Sequence, residues 1–226
     1  MDGRSLTITA LEGIPLVRPG DGIAAILTGA LERAEYIPAD RDIVVVAQKI
    51  VSKAEGRHLN LEQVSPSDEA VKLGAATGKP AAHVQAIMDE SDEIVRHREG
   101  VIIAAHRLGL VLANAGIDRS NVEQDEEGER VLRLPLDPDR SAAGIKAKLD
   151  ARFDADIGVI IADSVGRAWR LGTVGLAIGA AGVPSLIDLR GQPDLHGRPL
   201  EVSMTGFADA VSAAALVRPP QEDLFR

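Results

Sequence analysis

The chain has 226 residues, 45% of them hydrophobic but only 2% aromatic, and a formal net charge of −9. That length and apolar content predict a globular chain, one large domain or two small lobes, and exclude a disordered one. The acidic balance argues against a nucleic-acid surface, and the absence of cysteine removes disulfides, zinc–thiolate sites and thiol nucleophiles.

The first residues, Met1-Asp2-Gly3-Arg4, lead into an alternating segment and not into an apolar signal region. No apolar run approaches a membrane span, so a soluble, cytoplasmic protein without membrane or nucleic-acid partners is expected. Residues 5–11, SLTITAL, alternate polar and apolar and predict a half-buried strand. Gly13-Ile14-Pro15-Leu16 is a turn out of it. The spacing of Ile23, Ile26, Leu27, Ala30 and Leu31 predicts an amphipathic helix over 21–34. Residues 42–47, DIVVVA, read as a buried strand that runs into Gln48, Lys49 and Lys53. Ser65-Pro66-Ser67 starts another helix, broken at Gly78-Lys79-Pro80, and 80–91 is a further one. Segments 94–97, 101–105 and 108–113 read as an antiparallel meander. Residues 124–130, QDEEGER, are a solvated loop and the candidate lobe boundary. A short strand at 131–134, a helix from about 136 to 152, strands at 186–189 and 200–204, and a small-residue helix at 207–216 complete the chain. Helices mixed with hairpin-like strands, without a βαβα rhythm, predict an α+β fold of largely antiparallel sheets.

The most informative stretch is 158–182, GVIIADSVGRAWRLGTVGLAIGAAG. Its apolar run, Val159 to Ala162, predicts a strand buried on both faces that stops at Asp163-Ser164. Arg167 and Arg170 follow among closely spaced glycines. A strand end bearing a carboxylate, then arginines and bare backbone, can hold a metal ion and phosphates. The same residues also fit an Asx or Ser turn leading into a glycine-rich hairpin. A second polar cluster, 114–123 (NAGIDRSNVE), follows the apolar 110–113. Asp118 can ligate a hard cation and Asn121 can hydrogen-bond a base or sugar, although the segment also reads as an Asn/Gly/Asp turn. Two acids at strand ends suit magnesium shared with a nucleotide, which uses one or two carboxylates plus phosphate oxygens and waters. Lys49 and Lys53 could each reach a phosphate as a point charge or simply be solvated. The five histidines lack metal-ligand spacing. There is no P-loop, Gly-x-Gly-x-x-Gly fingerprint, nucleophile elbow or kinase signature set.

Taken together, VVVAQKIVSKAEGR (44–57), NAGIDRSNVE (114–123) and IADSVGRAWRLGTVGLAIGAAGV (161–183) resemble the F420-0:gamma-glutamyl ligase family. The likeness extends in order over nearly the whole chain to about Leu216, and several long motifs in sequence are more specific than any one. The resemblance implies an intertwined homodimer of α+β fold without a P-loop. It implies an enzyme that uses GTP and a divalent metal, Mg2+ or Mn2+, with K+ as a further candidate ion, to join L-glutamate to the phospholactyl carboxylate of the deazaflavin coenzyme F420 precursor through an acyl phosphate. By position, Asp118, Asp163 and Ser164 match the family's metal ligands, and Asn121, Lys53 and the turn of Gly13, Ile14, Pro15 and Leu16 match its GTP contacts. Arg167, Arg170 and Arg198 are candidates for phosphate or carboxylate partners from their charge and glycine-rich setting.

The pattern departs at the end. Family members continue after the 207–216 helix with a glycine-rich loop and a further strand that contribute to the GTP and metal site. Here the chain passes at once to VRPPQEDLFR (217–226). This tail resembles the end of bacterial members or their junction with a flavin-binding nitroreductase-like domain. The expected organisation is therefore a ligase domain over 1–216 and a tail that follows a missing internal segment between about 216 and 218. The competing expectations are a non-catalytic relative that binds deazaflavin or nucleotide, and a metal-dependent phosphohydrolase.

Overall fold

The structure is a computed structural model that describes residues 5–124 and 128–216. In chain order its elements are α1 (Ile23–Arg33), β1 (Ile43–Ala47), α2 (Gln48–Ala54), β2 (His58–Asn60), α3 (Asp68–Thr77), α4 (Ala81–Asp89), β3 (Ser91–Arg98), β4 (Val101–His106), β5 (Val111–Ala113), β6 (Arg130–Leu132), α5 (Pro138–Phe153), β7 (Gly158–Arg167), β8 (Arg170–Ala181), β9 (Leu186–Asp188), β10 (Met204–Gly206) and α6 (Phe207–Ala215). The expected α+β class holds. Small sheets β2–β6, β3–β4–β5 and β9–β10 are antiparallel. The sheet β1–β7–β8 is mixed, with β1 parallel and β8 antiparallel to the central β7.

Local chemistry places the helix ends. Ser67 accepts a hydrogen bond from the Ala70 amide and caps α3, which stops at the left-handed Gly78, φ 68°. Asp137 caps α5 through the Arg140 amide, with Pro138 in its first turn, where no amide is needed. The apolar faces build two cores. Leu27 of α1, Val46 of β1, Val51 of α2, Ile145 and Leu149 of α5, and Val159 and Ile161 of β7 form the first. Val84 and Ile87 of α4, Ile102 and Ala104 of β4, Ile117 and Val131 form the second. The first core thus draws on residues up to Val51 and from Ala142 onward, the second on the chain between.

Three expectations change. Residues 5–11 form no strand, and Leu6 is 83% exposed; alternation supplies a face, but a strand also needs a neighbour for its backbone groups. The strand expected at 200–204 is shifted to β10, where pairing with β9 sets its limits. Asp163 and Ser164 are not at a strand end. β7 continues to Arg167 because β8 pairs with it as far as Arg170, and beyond the core the two strands project as a β-arm. The tail 217–226, with the break expected near 216–218, lies outside the described residues, as do residues 125–127 of the acidic loop.

The glycines of β8 have a packing cause. A Cβ at Gly175 would lie 2.2 Å from the Ser212 carbonyl oxygen of α6, and one at Gly179 would lie 2.5 Å from the Pro138 carbonyl carbon of α5. Both helices rest directly on strand backbone. Gly175→Ala and Gly179→Ala therefore each destabilise by about 1–3 kcal/mol in urea denaturation. Gly166→Ala, where a Cβ meets nothing within 4 Å, stays within about 0.5 kcal/mol. Equal stabilities for Gly166→Ala and Gly179→Ala would refute the close-packing account.

Candidate active site

Two acids from distant parts of the chain meet beside the first turn of α2. Asp118 is delivered by a sharp reversal after β5. Asn114 and Ala115 both have φ 52° and Gly116 has φ 68°, a left-handed run that L side chains adopt at a cost. At Gly116 a Cβ would also meet Leu134 Cγ at 2.8 Å. The reversal brings Asp118 antiparallel to β6: its amide donates to the Leu132 carbonyl at 3.0 Å, and its carbonyl accepts from the Leu132 amide at 2.8 Å. With the backbone so fixed, the carboxylate accepts from the Ser120 amide at 2.7 Å and pairs with Lys49 Nζ at 2.5 Å. Burial pushes the Asp118 carboxyl up, but Lys49 and the Ser120 donors together hold it below the usual aspartate value.

Asp163 follows directly from the buried β7 core. β1 runs parallel to β7 with Ala47 opposite Ala162, so the residues that follow, Gln48 at the start of α2 and Asp163 on β7, fall at the same edge. Burial, reinforced by the negative charge of Asp118, raises the Asp163 carboxyl; the Ser164 amide, the Lys49 charge and the Gln48 side chain act against this. Gln48 and Ser52 are themselves buried, and the Ser52 hydroxyl donates to Gln48 Oε1 at 2.9 Å, which turns the amide nitrogen away from Ser52.

The other sequence candidates are dispersed. Ser164 donates its amide to Asp163 Oδ1 at 2.8 Å, but its exposed side chain occupies the next position of a strand, where successive side chains alternate faces. Asn121 sits in the Asp118 loop with φ 56°. Gly13 is tied to α1 through its carbonyl, which accepts from Arg33 Nη2 at 2.9 Å, and Leu16 is exposed. Lys53 faces His58, whose ring is pushed down chiefly by burial and then by the Lys53 charge; Lys49 is the lysine that reaches the acids. Arg167 and Arg170 lie opposite each other where the arm's pairing ends, about 13 Å along the strand from Asp163. Arg198 is exposed and pairs with Asp194 at 3.1 Å. Gln48 and Ser52 had no signal in the sequence, since nothing there shows that β1 lies against β7.

The donor set suits a hard cation shared with an anionic ligand. The Asp118 charge acts on Asp163, and among the described residues no group of three or more His, Asp or Glu gathers to cage an ion alone. The fold and this edge define a class: an α+β protein, without a helix long and apolar enough to cross a membrane among the described residues, that sets two acids from distant parts of the chain beside a lysine. The chain matches the family model F420-0:Gamma-glutamyl ligase over residues 13–218 and belongs to that family. It is 42% identical over 218 residues to a Coenzyme F420:L-glutamate ligase of Methanothermobacter thermautotrophicus, covering 96% of this chain and 85% of the relative. It is 41% identical to the protein of the same name from Methanopyrus kandleri, covering 91% and 79%. The Archaeoglobus fulgidus protein of that name is 42% identical over 91% of this chain and 78% of its own length.

Proposed function

We propose that this protein is a GTP-dependent ligase of coenzyme F420 biosynthesis that joins L-glutamate to the phospholactyl carboxylate of the deazaflavin precursor. The observation that carries this reading, beside family membership, is the convergence of Asp118 and Asp163 next to Lys49. A carboxylate is a poor acceptor for an amine, so the reaction needs a leaving group. The precursor carboxylate oxygen attacks the γ-phosphorus of GTP and GDP departs. The glutamate amine then attacks the acyl carbon, loses a proton, and inorganic phosphate leaves. Asp118 and Asp163 would hold a divalent cation, Mg2+ or Mn2+, which when bound supplies charge neutralisation at the phosphates; Ser164, whose side chain takes the other face of β7, would not share that ion through its hydroxyl. Asn121, Lys53 and the turn 13–16 are assigned to GTP, and Arg167, Arg170 and Arg198 to phosphate or carboxylate groups. What these residues contribute is positioning and electrostatics.

The arm supports a homodimer. Trp169 and Leu171 at its end are fully exposed, an apolar pair that a second chain would cover; Arg167 lies opposite Arg170 and donates to the Leu171 carbonyl at 3.3 Å. The arginines would then serve a site across the dimer. Light scattering is expected to give about twice the 23.8 kDa chain mass; a monomer at micromolar concentration would reject the dimer.

The function is tested by GTP turnover with and without L-glutamate and the deazaflavin precursor, with mass spectrometry of the product. A ligase needs all three and adds glutamate to the precursor. Phosphate release without glutamate would instead identify a phosphohydrolase, and no turnover a binding protein.

A further inference from the structure

The Lys49 ammonium is surrounded by oxygen. Asp118 Oδ2 lies 2.5 Å from Nζ, Ser120 Oγ 2.7 Å and the Ser120 carbonyl oxygen 3.4 Å. A carboxylate, a hydroxyl and a backbone carbonyl are the donor types that hold a hard cation. The lysine charge also acts on Asp163. One ammonium thus pairs with one carboxylate and acts by its charge on the other, from a side chain that is 27% exposed and belongs to α2. Neither the backbone bridge of Asp118 to Leu132 nor the Ser120 amide bond to Asp118 Oδ1 depends on it.

We infer that Lys49 is the resident counter-cation of the acid pair: it positions Asp118 while no divalent metal is bound, and it competes with that metal for the same oxygens. The inference rests on the metal-binding reading above. Its physical basis is that a compact point charge on a flexible four-carbon stem can vacate an oxygen cradle as a divalent ion enters. The released ammonium then stands beside the same edge as the anionic ligands. Lys49 acts through Asp118 and is a positioning residue. A merely structural lysine would leave metal affinity unchanged on removal, or weaken it through disorder of Asp118; a competing cation does the opposite.

The test is Mn2+ binding by calorimetry or electron paramagnetic resonance, without nucleotide. Lys49→Met is expected to tighten the Mn2+ Kd about tenfold, because a positive charge is removed next to the cation position. Lys49→Arg, which keeps the charge, is expected to stay near the wild type. An unchanged or weaker Kd for Lys49→Met would overturn the inference while leaving the metal site standing. A wild-type protein that binds no Mn2+ would overturn the metal reading and this inference with it. A second measurement uses the unaltered protein, so it does not depend on the variant folding. Labelling by an amine-selective reagent, mapped by mass spectrometry, is expected to rise at Lys49 when Mn2+ is added; constant labelling under saturating Mn2+ would also overturn the inference.

Discussion

Asp118→Asn and Asp163→Asn each lower glutamate ligation at least about 100-fold while the protein stays folded. Removing a group that merely orients a ligand to a metal costs 10–100-fold, and these carboxylates are proposed as ligands themselves. The fold tolerates both changes for separate reasons. Asp118 holds its strand bridge through backbone atoms, and its side-chain pair with Lys49 is partly exposed, a class of contact worth about 0–1 kcal/mol. Asp163 carries a charge that burial disfavours. Its folded-state carboxyl is raised, so its contribution to stability is greatest at low pH and is lost as pH rises through the folded value. Asp163→Asn removes that penalty and is expected to be at least as stable as the wild type near neutrality. Rates measured across a metal titration, with thermal melts of each variant, check both halves. Near-normal turnover at low metal would remove the substituted residue from the ligand set.

Glu90→Gln is expected to cost about 3–5 kcal/mol of folding stability, the range for removing one partner of a buried ion pair. Glu90 is 3% exposed at the end of α4. Arg57 Nη2 reaches its two oxygens at 2.9 and 3.1 Å, Arg107 pairs at 2.7 Å and Arg133 at 3.4 Å. His106 completes the ring. Its Nδ1 accepts from the Leu108 amide, which leaves Nε2 towards Glu90 at 3.5 Å. The glutamine would leave three guanidinium groups around a neutral side chain. The same cluster sets an acid limit. Burial alone would raise the Glu90 carboxyl, but His106 and the three arginines lower it overall. A depressed carboxyl contributes stability that is present above its unfolded value and lost as pH falls through the folded one. Urea denaturation of the wild type should therefore show stability falling below about pH 4, and the variant should lose part of that slope. A loss under 1 kcal/mol for Glu90→Gln would show that the cluster is not held by charge.

Much of the architecture is written locally in the sequence. The apolar, β-branched runs 42–47 and 159–162 suit short strands, and Ser67, Gly78, Asp137 and Pro138 mark helix ends by the hydrogen bonds they can or cannot make. Asp118 and Asp163 stood out because each carboxylate follows an apolar segment. Pairing across the chain was beyond such reading. β7 runs past Asp163 because β8 lies beside it, and 5–11, with equally good alternation, has no such neighbour. Gly175 and Gly179 looked like bare backbone for phosphates until α6 and α5 were seen resting on them. Lys49 meets the Asp118 loop across 71 residues, and Arg57 and Arg133 reach Glu90 across 33 and 43. Periodicity and capping are set by residues within a turn of each other, so the sequence alone carries them. The acid pair, its lysine and the arginine cluster depend on which strands pair, a choice made by burial summed over the whole chain.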